Sequence, residues 1–138
     1  MKKLFFSTGT NSQKIDLVIL ILRLAAGVFM LTHGMGKFSK LFSGEPVKFA
    51  DPIGLGETTS LALTVFAEVG CSILLIFGLA TRFAVIPLII TMIVAAFLVH
   101  GADPFGKKEL SLLYLVLYTV IGIAGAGRFS IDHMISRK

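Results

Sequence analysis

Apolar residues gather in four long runs, Ile15 to about Thr32, Leu61 to Leu79, Phe83 to Val99 and Leu110 to Ala126, with most polar residues placed between them. Each run approaches the roughly 17 to 25 residues that a helix needs to span a bilayer. The pattern predicts helices at about 15–37, 60–80, 82–100 and 109–127. Gly27, Gly70, Pro87 and Gly122 fall inside them, which membrane helices tolerate better than soluble ones. Only Ala80-Thr81-Arg82 joins the second helix to the third, and so short a link forces an antiparallel hairpin. His100 to Glu109, with the turn formers Gly101, Asp103-Pro104 and Gly106, joins the third to the fourth. The expected fold class is all-α integral membrane: a four-helix antiparallel transmembrane bundle forming one domain over residues 1–138.

The longest link, Phe38 to Ser60, mixes Gly44, Pro46, Pro52, Gly54 and Gly56 with apolar Phe42, Phe49, Ile53 and Leu55. It is expected to fold as a surface cap between helices one and two. At the end of the chain, Gly125 to Gly127 closes the fourth helix, and Ser130 is placed to cap a short helix carrying Asp132. The start, Met1-Lys2-Lys3-Leu4-Phe5-Phe6, imitates a signal peptide, but its apolar part stops at Ser7, so no cleavage is expected.

Composition agrees with the pattern. Of 138 residues 55% are hydrophobic, and the mean hydropathy is +0.89, too apolar for a soluble domain of this size. The formal charge of +5 comes from lysines and arginines spread among the ends of apolar runs rather than gathered into a stripe, which argues against nucleic acid as a partner. Lys2, Lys3, Lys14, Arg82, Arg128, Arg137 and Lys138 fall on the side of the termini, against Lys37, Lys40, Lys48, Lys107 and Lys108 on the other. That excess predicts a multi-pass protein of the inner (plasma) membrane with both termini cytoplasmic. The single cysteine, Cys71, excludes an internal disulfide and any CxxC redox pair.

Ionisable residues inside such runs are the candidate chemistry. Arg23 lies roughly 12 Å below the nearer end of its run, where a charge costs at least about 2.5 kcal/mol and must face protein or water. With about 100° of turn per residue, Lys37 lies roughly 40° and His33 roughly 80° from Arg23, within one wedge of the helix. Glu68 lies roughly 10 Å inside the second helix, His100 ends the third and Glu109 opens the fourth. Arg23, His33, Lys37, Glu68, His100 and Glu109 are therefore the candidate pocket, with Phe29 and Phe97 as its apolar wall. Arg23 and Glu68, buried to similar depth, are expected to interact directly or through one water. No metal is expected, because no histidine stands three or four residues from a glutamate on one helix. No nucleophile-base triad, phosphate loop or haem-attachment motif is present, so catalysis itself is left open.

The chain resembles the DoxX family of small four-helix bacterial membrane proteins over nearly its whole length. The resemblance rests on Leu22-Arg23-Leu24, His33-Gly34 with Lys37, Glu68-Val69-Gly70 and Gly78-Leu79-Ala80-Thr81-Arg82. It continues through His100, Glu109, Gly125-Ala126-Gly127 and Ser130-Ile131-Asp132. Cys71 departs from it, standing where similar sequences often carry a second glycine. The resemblance implies redox work: related DoxD-type proteins are linked to a terminal quinol oxidase and to thiosulfate:quinone oxidoreductase, and some members to membrane assemblies handling oxidative or thiol stress.

The leading expectation is a membrane subunit of an oxidoreductase assembly, its pocket taking a quinone or a small sulfur substrate. A quinone needs a proton donor near each carbonyl and an apolar slot for its ring. The electron source would be a soluble or membrane redox partner, since no cofactor motif is evident. Two alternatives stand beside it: a small transporter or proton-conducting module, which would call for a homo-oligomer, and a non-enzymatic scaffold in the lipid bilayer whose polar cluster fixes helix register.

Overall fold

The computed structural model describes residues 11–138; the signal-like start, with Lys2 and Lys3, lies outside them. Among the described residues every regular element is helical. Helix α1 is Ser12–Leu41, α2 is Glu57–Phe77 and α3 is Thr81–Val99. They are followed by α4, Phe105–Ala124, and the short α5, Ile131–Ser136. Helices α1, α2 and α3 are long and apolar enough to cross a membrane. Helix α4 is comparable at 20 residues but carries Lys107, Lys108 and Glu109 in its first turns. Helix α1 exceeds the expected 15–37 at both ends. The Asn11 side chain accepts the Gln13 N–H at 2.9 Å and caps the start, and no glycine or proline interrupts the helix between Lys37 and Leu41.

Helix α1 packs on α2, α2 on α3, α3 on α4, and α4 returns to α1. Lys37 reaches Glu68 near one end of the α1/α2 pair and Arg23 reaches Ile76 near the other, which makes the two antiparallel. Their backbones nearly touch at Gly34, where a Cβ would lie 2.8 Å from Val69 Cγ2 and 3.0 Å from the Glu68 carbonyl carbon. The core repeats at one-turn spacing, with Ala26 and Met30 facing Ala67, Cys71 and Leu75, and Ala84, Leu88 and Met92 facing Tyr114 and Tyr118. The outward faces carry Phe29, Ile86, Val116 and Ile123. In lipid such faces gain nothing from leaving water, so close packing and polar contacts hold the helices together.

Two helices are not regular. Phe66–Cys71 in α2 and Val94–Val99 in α3 are π-helical turns, in which one extra residue per turn re-aims the side chains that follow. Past Leu41 the chain runs without a helix through residues 42–56, the link called the cap. Asp51 organises it. Its carboxylate accepts from the N–H groups of Leu55 and Gly56, each at 2.9 Å, and from the Ser60 hydroxyl at 2.8 Å. That hydroxyl, with the amide donors, holds the Asp51 carboxyl below the usual range.

The opposite end of the molecule, which carries Asn11 and α5, is built around Arg23. Its expected pairing with Glu68 does not occur. Arg23 is 2% exposed, and its guanidinium donates to the carbonyls of Ala126, Phe129 and Ile76, the last two at 2.7 and 3.4 Å. Helical side chains lean toward their helix's N-terminus, so Arg23 leans toward Ser12, away from Glu68. What it meets there are carbonyls that neither a helix end nor the following loop can satisfy for itself. Helix α2 stops beside it in a Schellman turn. Gly78, at φ +66°, donates to Leu75 at 3.1 Å and Leu79 to Leu74 at 2.9 Å. As expected, Ser130 caps α5, its Oγ accepting the His133 N–H at 3.2 Å. Asp132 of α5 caps α3 in turn, accepting the N–H groups of Ala80 and Thr81 at 2.7 and 2.9 Å. Partial burial pushes the Asp132 carboxyl up, but the amide donors of Thr81 and Ala80 and the nearby Arg23 charge outweigh it and hold it below its ordinary range.

Two predictions follow from this end of the fold. A Cβ on Gly78 would lie 2.6 Å from Ser130 Cβ and 2.8 Å from Arg23 Cζ. Gly78→Ala should therefore cost at least the roughly 1–3 kcal/mol of a left-handed non-glycine residue. Gly106→Ala, where nothing lies within 4 Å, should be neutral; thermal unfolding of both in detergent checks the contrast. For Asp132 the folded carboxyl lies below its unfolded value of about 3.9, so its contribution is complete above that pH and lost as pH falls through the folded value. Asp132→Ala should cost about 0.5–2 kcal/mol at neutral pH and flatten the loss of stability seen in the parent below about pH 4. A variant whose acid-unfolding curve keeps the parent's shape would contradict this cap.

Candidate functional site

At the cap end a cleft of about 280 Å³ opens between the cap, α2 and α3, with Lys37 of α1 reaching into it. Three elements place polar groups in it. Glu68 comes from the π-turn of α2, where it is 4% exposed. It leans back toward the start of α2, while Lys37 of the antiparallel α1 leans down toward it. The Lys37 ammonium donates to both carboxylate oxygens, at 2.7 and 2.6 Å. Lys37 keeps 31% of its side chain exposed against 5% for Glu68, so one face of the pair is open.

His100 enters from the third side, directly after the π-turn of α3, with its own N–H bonded back to Ala95 at 3.0 Å. Its Nδ1 lies 2.7 Å from Asp103 Oδ2, which orients the ring. That hydrogen bond, helped by the charges of Lys107 and Lys108, keeps the Asp103 carboxyl below its usual range. Val94, Ala95 and Val99 of the same π-turn face the cleft, as do Phe49, Pro52 and Ile53 of the cap. Both π-helical turns thus open onto one space. Such turns recur at functional sites, where the re-aimed side chains are used.

Of the six expected pocket residues, Lys37, Glu68 and His100 come together. His33 does not line the cleft: it is exposed, and its ring meets Tyr114 edge-on with centroids 6.1 Å apart. Its helical phase, about 80° from Arg23, is enough to leave the buried face. Glu109 is exposed too, because α4 begins four residues earlier, at Phe105. Arg23 belongs to the far end. Phe29 and Phe97 point outward at 60% and 57% exposure, and the apolar wall comes from Phe49, Ile53, Leu63 and Ile90 instead.

Asp103 and the cap residues were missed by the sequence reading; the His100-x-x-Asp103 spacing was the only available signal. Among the described residues no three His, Cys, Asp or Glu side chains converge as a metal site. The cleft offers a cation, an anion, an oriented imidazole and an apolar wall, which suits a small planar molecule with polar edges. Deeper between the helices, the hydroxyls of Ser72 and Tyr118 are buried without a partner among the described residues.

Comparison with known proteins agrees with the membrane reading. The chain is 28% identical to the uncharacterised membrane protein Rv3486 of Mycobacterium tuberculosis, over 87% of this chain and 82% of that protein. It is 26% identical to CatD of Bacillus subtilis, named as a proposed oxidoreductase, over 90% and 91% of the two chains. An uncharacterised Haemophilus influenzae protein is 33% identical over 85% and 90%. No solved structure matches. The DoxX family match covers residues 18–101, which takes in Arg23, Lys37, Glu68 and His100, and the chain belongs to the DoxX family.

Proposed function

We propose that this chain is the membrane subunit of an oxidoreductase assembly, and that the cleft of Lys37, Glu68 and His100 takes a quinone headgroup or a small sulfur-containing substrate. One observation carries the reading: a two-pronged Lys37–Glu68 pair in a largely apolar cleft, with one face of the lysine open and an oriented histidine near it. Quinone reduction adds two electrons and two protons. Lys37 and His100 are positioned as donors toward carbonyl oxygens, and Glu68 as the group that resupplies a proton. Electrons would come from a partner protein. The naming of the similar CatD as a proposed oxidoreductase supports the same class.

The reading includes α4 as a fourth span, closing an antiparallel four-helix bundle in the plasma membrane. Its 20 residues give about 30 Å of helix, the thickness of the hydrocarbon core. Lys107, Lys108 and Glu109 then sit at the cap-end interface. Both termini face the cytoplasm, where seven Lys and Arg residues flank the spans against five at the cap end.

Two measurements test this. Lys37→Met and Glu68→Gln should each cost roughly 1–3 kcal/mol, less than a fully buried pair because Lys37 is partly exposed. The double variant should lose clearly less than the sum. Each single variant should also weaken binding of decylubiquinone or thiosulfate, whichever the parent binds, about tenfold or more. Unchanged binding of both probes in a folded Glu68→Gln variant would remove the site. For orientation, Ser43→Cys in the cap should react with an impermeant thiol reagent added outside the cell and Ser136→Cys should not. The reverse result would invert the topology.

A further inference from the structure

At the end opposite the cleft a larger cavity, of about 530 Å³, opens between the start of α3, the loop after α4 and α5. Its charged lining consists of Arg82, Arg128 and His133 against Asp16 and Asp132. The two carboxylates are already engaged by main-chain amides. Asp16 Oδ1 accepts the Arg128 N–H at 3.1 Å, and the two oxygens of Asp132 accept the N–H groups of Ala80 and Thr81 at the start of α3. Among the described residues no hydrogen bond or ion pair engages the side chains of Arg82, Arg128 or His133. The Arg82 guanidinium lies over the Gly125 backbone, 3.5 Å from where a Cβ would stand. The cavity therefore presents two arginines and an imidazole that no side-chain hydrogen bond or ion pair engages among the described residues, although the Asp16 and Asp132 carboxylates share the lining, while Phe83 on its rim and Phe129, next in sequence to Arg128, are 61% and 56% exposed.

Guanidinium forks match the oxygens of a phosphate in paired hydrogen bonds, and apolar rings beside them suit acyl chains at a membrane interface. We infer that this cavity is a phosphate-group site, filled by the headgroup of an anionic phospholipid or by a free phosphate ion, with Arg82 and Arg128 as its principal ligands. The buried Arg23 guanidinium nearby adds positive potential without being reachable, because Arg23 is buried in the fold and its two terminal nitrogens donate to Ala126 and Phe129.

Native mass spectrometry of the delipidated full chain with phosphatidylglycerol or phosphatidylcholine, and thermal unfolding with inorganic phosphate against chloride at equal ionic strength, would test it. Phosphatidylglycerol should bind in preference to phosphatidylcholine, and each of Arg82→Gln and Arg128→Gln should weaken that binding about fivefold. Lys107→Gln with Lys108→Gln, which removes at the cap end the two charges that the double arginine variant removes, should leave it unchanged. Stabilisation by inorganic phosphate that disappears in the double arginine variant, without selective lipid binding, would support the same site with a soluble source. Arg82→Lys with Arg128→Lys keeps the charge, and partial recovery of binding separates a lost ligand from a lost fold. Equal binding of both lipids together with no phosphate effect, equal loss in the cap-end control, or full binding by a folded double glutamine variant would each overturn the inference.

Discussion

A helix that ends near a membrane leaves carbonyls without donors, and the end of this molecule that carries Asn11 meets that constraint with one side chain. Arg23 reaches carbonyls from the last turn of α2 and from two points in the loop after α4, with no carboxylate in direct contact. A guanidinium carries five N–H donors in a fixed plane, and the partial negative charge at a helix C-terminus favours it. The burial of a charge, costly alone, is thereby offset by groups that would be costly unpaired. Much else at this end depends on that contact. Gly78 must lack a side chain because the guanidinium occupies the space. The loop from Gly125 to Ser130 is held where α5 can present Asp132 to the start of α3.

The same directional rule sets both charged systems. Side chains lean toward the N-terminus of their own helix, so on α1 both Arg23 and Lys37 lean toward Asn11. For Arg23 that means toward the helix ends, and for Lys37 toward the interior. On the antiparallel α2, Glu68 leans the other way and meets Lys37. Gly34 makes the meeting close, because it lets α1 lie against the backbone of the π-turn that carries Glu68. An arginine and a glutamate at similar Cα depth are thus carried apart, and a lysine that begins near the surface is drawn inward.

This also explains what the sequence could convey. The apolar runs, the tight link before α3, the cap between α1 and α2 and the Ser130 helix start were legible because each depends on local composition or on one capping residue. Burial of Arg23, Glu68 and one face of α1 was legible from depth and helical phase. The pairing was not, since depth counted along Cα atoms ignores a lean that long side chains extend by several ångströms. The π-turns were not legible either: Val94–Val99 reads as an ordinary apolar helix, and Glu68 and Gly70 in Phe66–Cys71 mark a polar site and close packing rather than a wider turn. The positions of the cap residues depend on the Asp51 carboxylate gathering Leu55, Gly56 and Ser60, contacts that composition does not announce.

The two charged systems differ in what they are attached to, and this bears on where chemistry is to be sought. Arg23 and Asp132 bond to main-chain groups that the fold cannot otherwise satisfy, so their removal damages the backbone's own hydrogen bonding. Lys37 and Glu68 bond only to each other among the described residues, and no helix end or turn depends on them. A buried ion pair of that kind contributes little net stability relative to apolar residues of the same volume. It sits beside a cleft that two irregular helical turns face, and it keeps one side of the lysine accessible. The proposed function asks for such a pair: groups that the backbone does not need, at the border of an apolar space of ligand size.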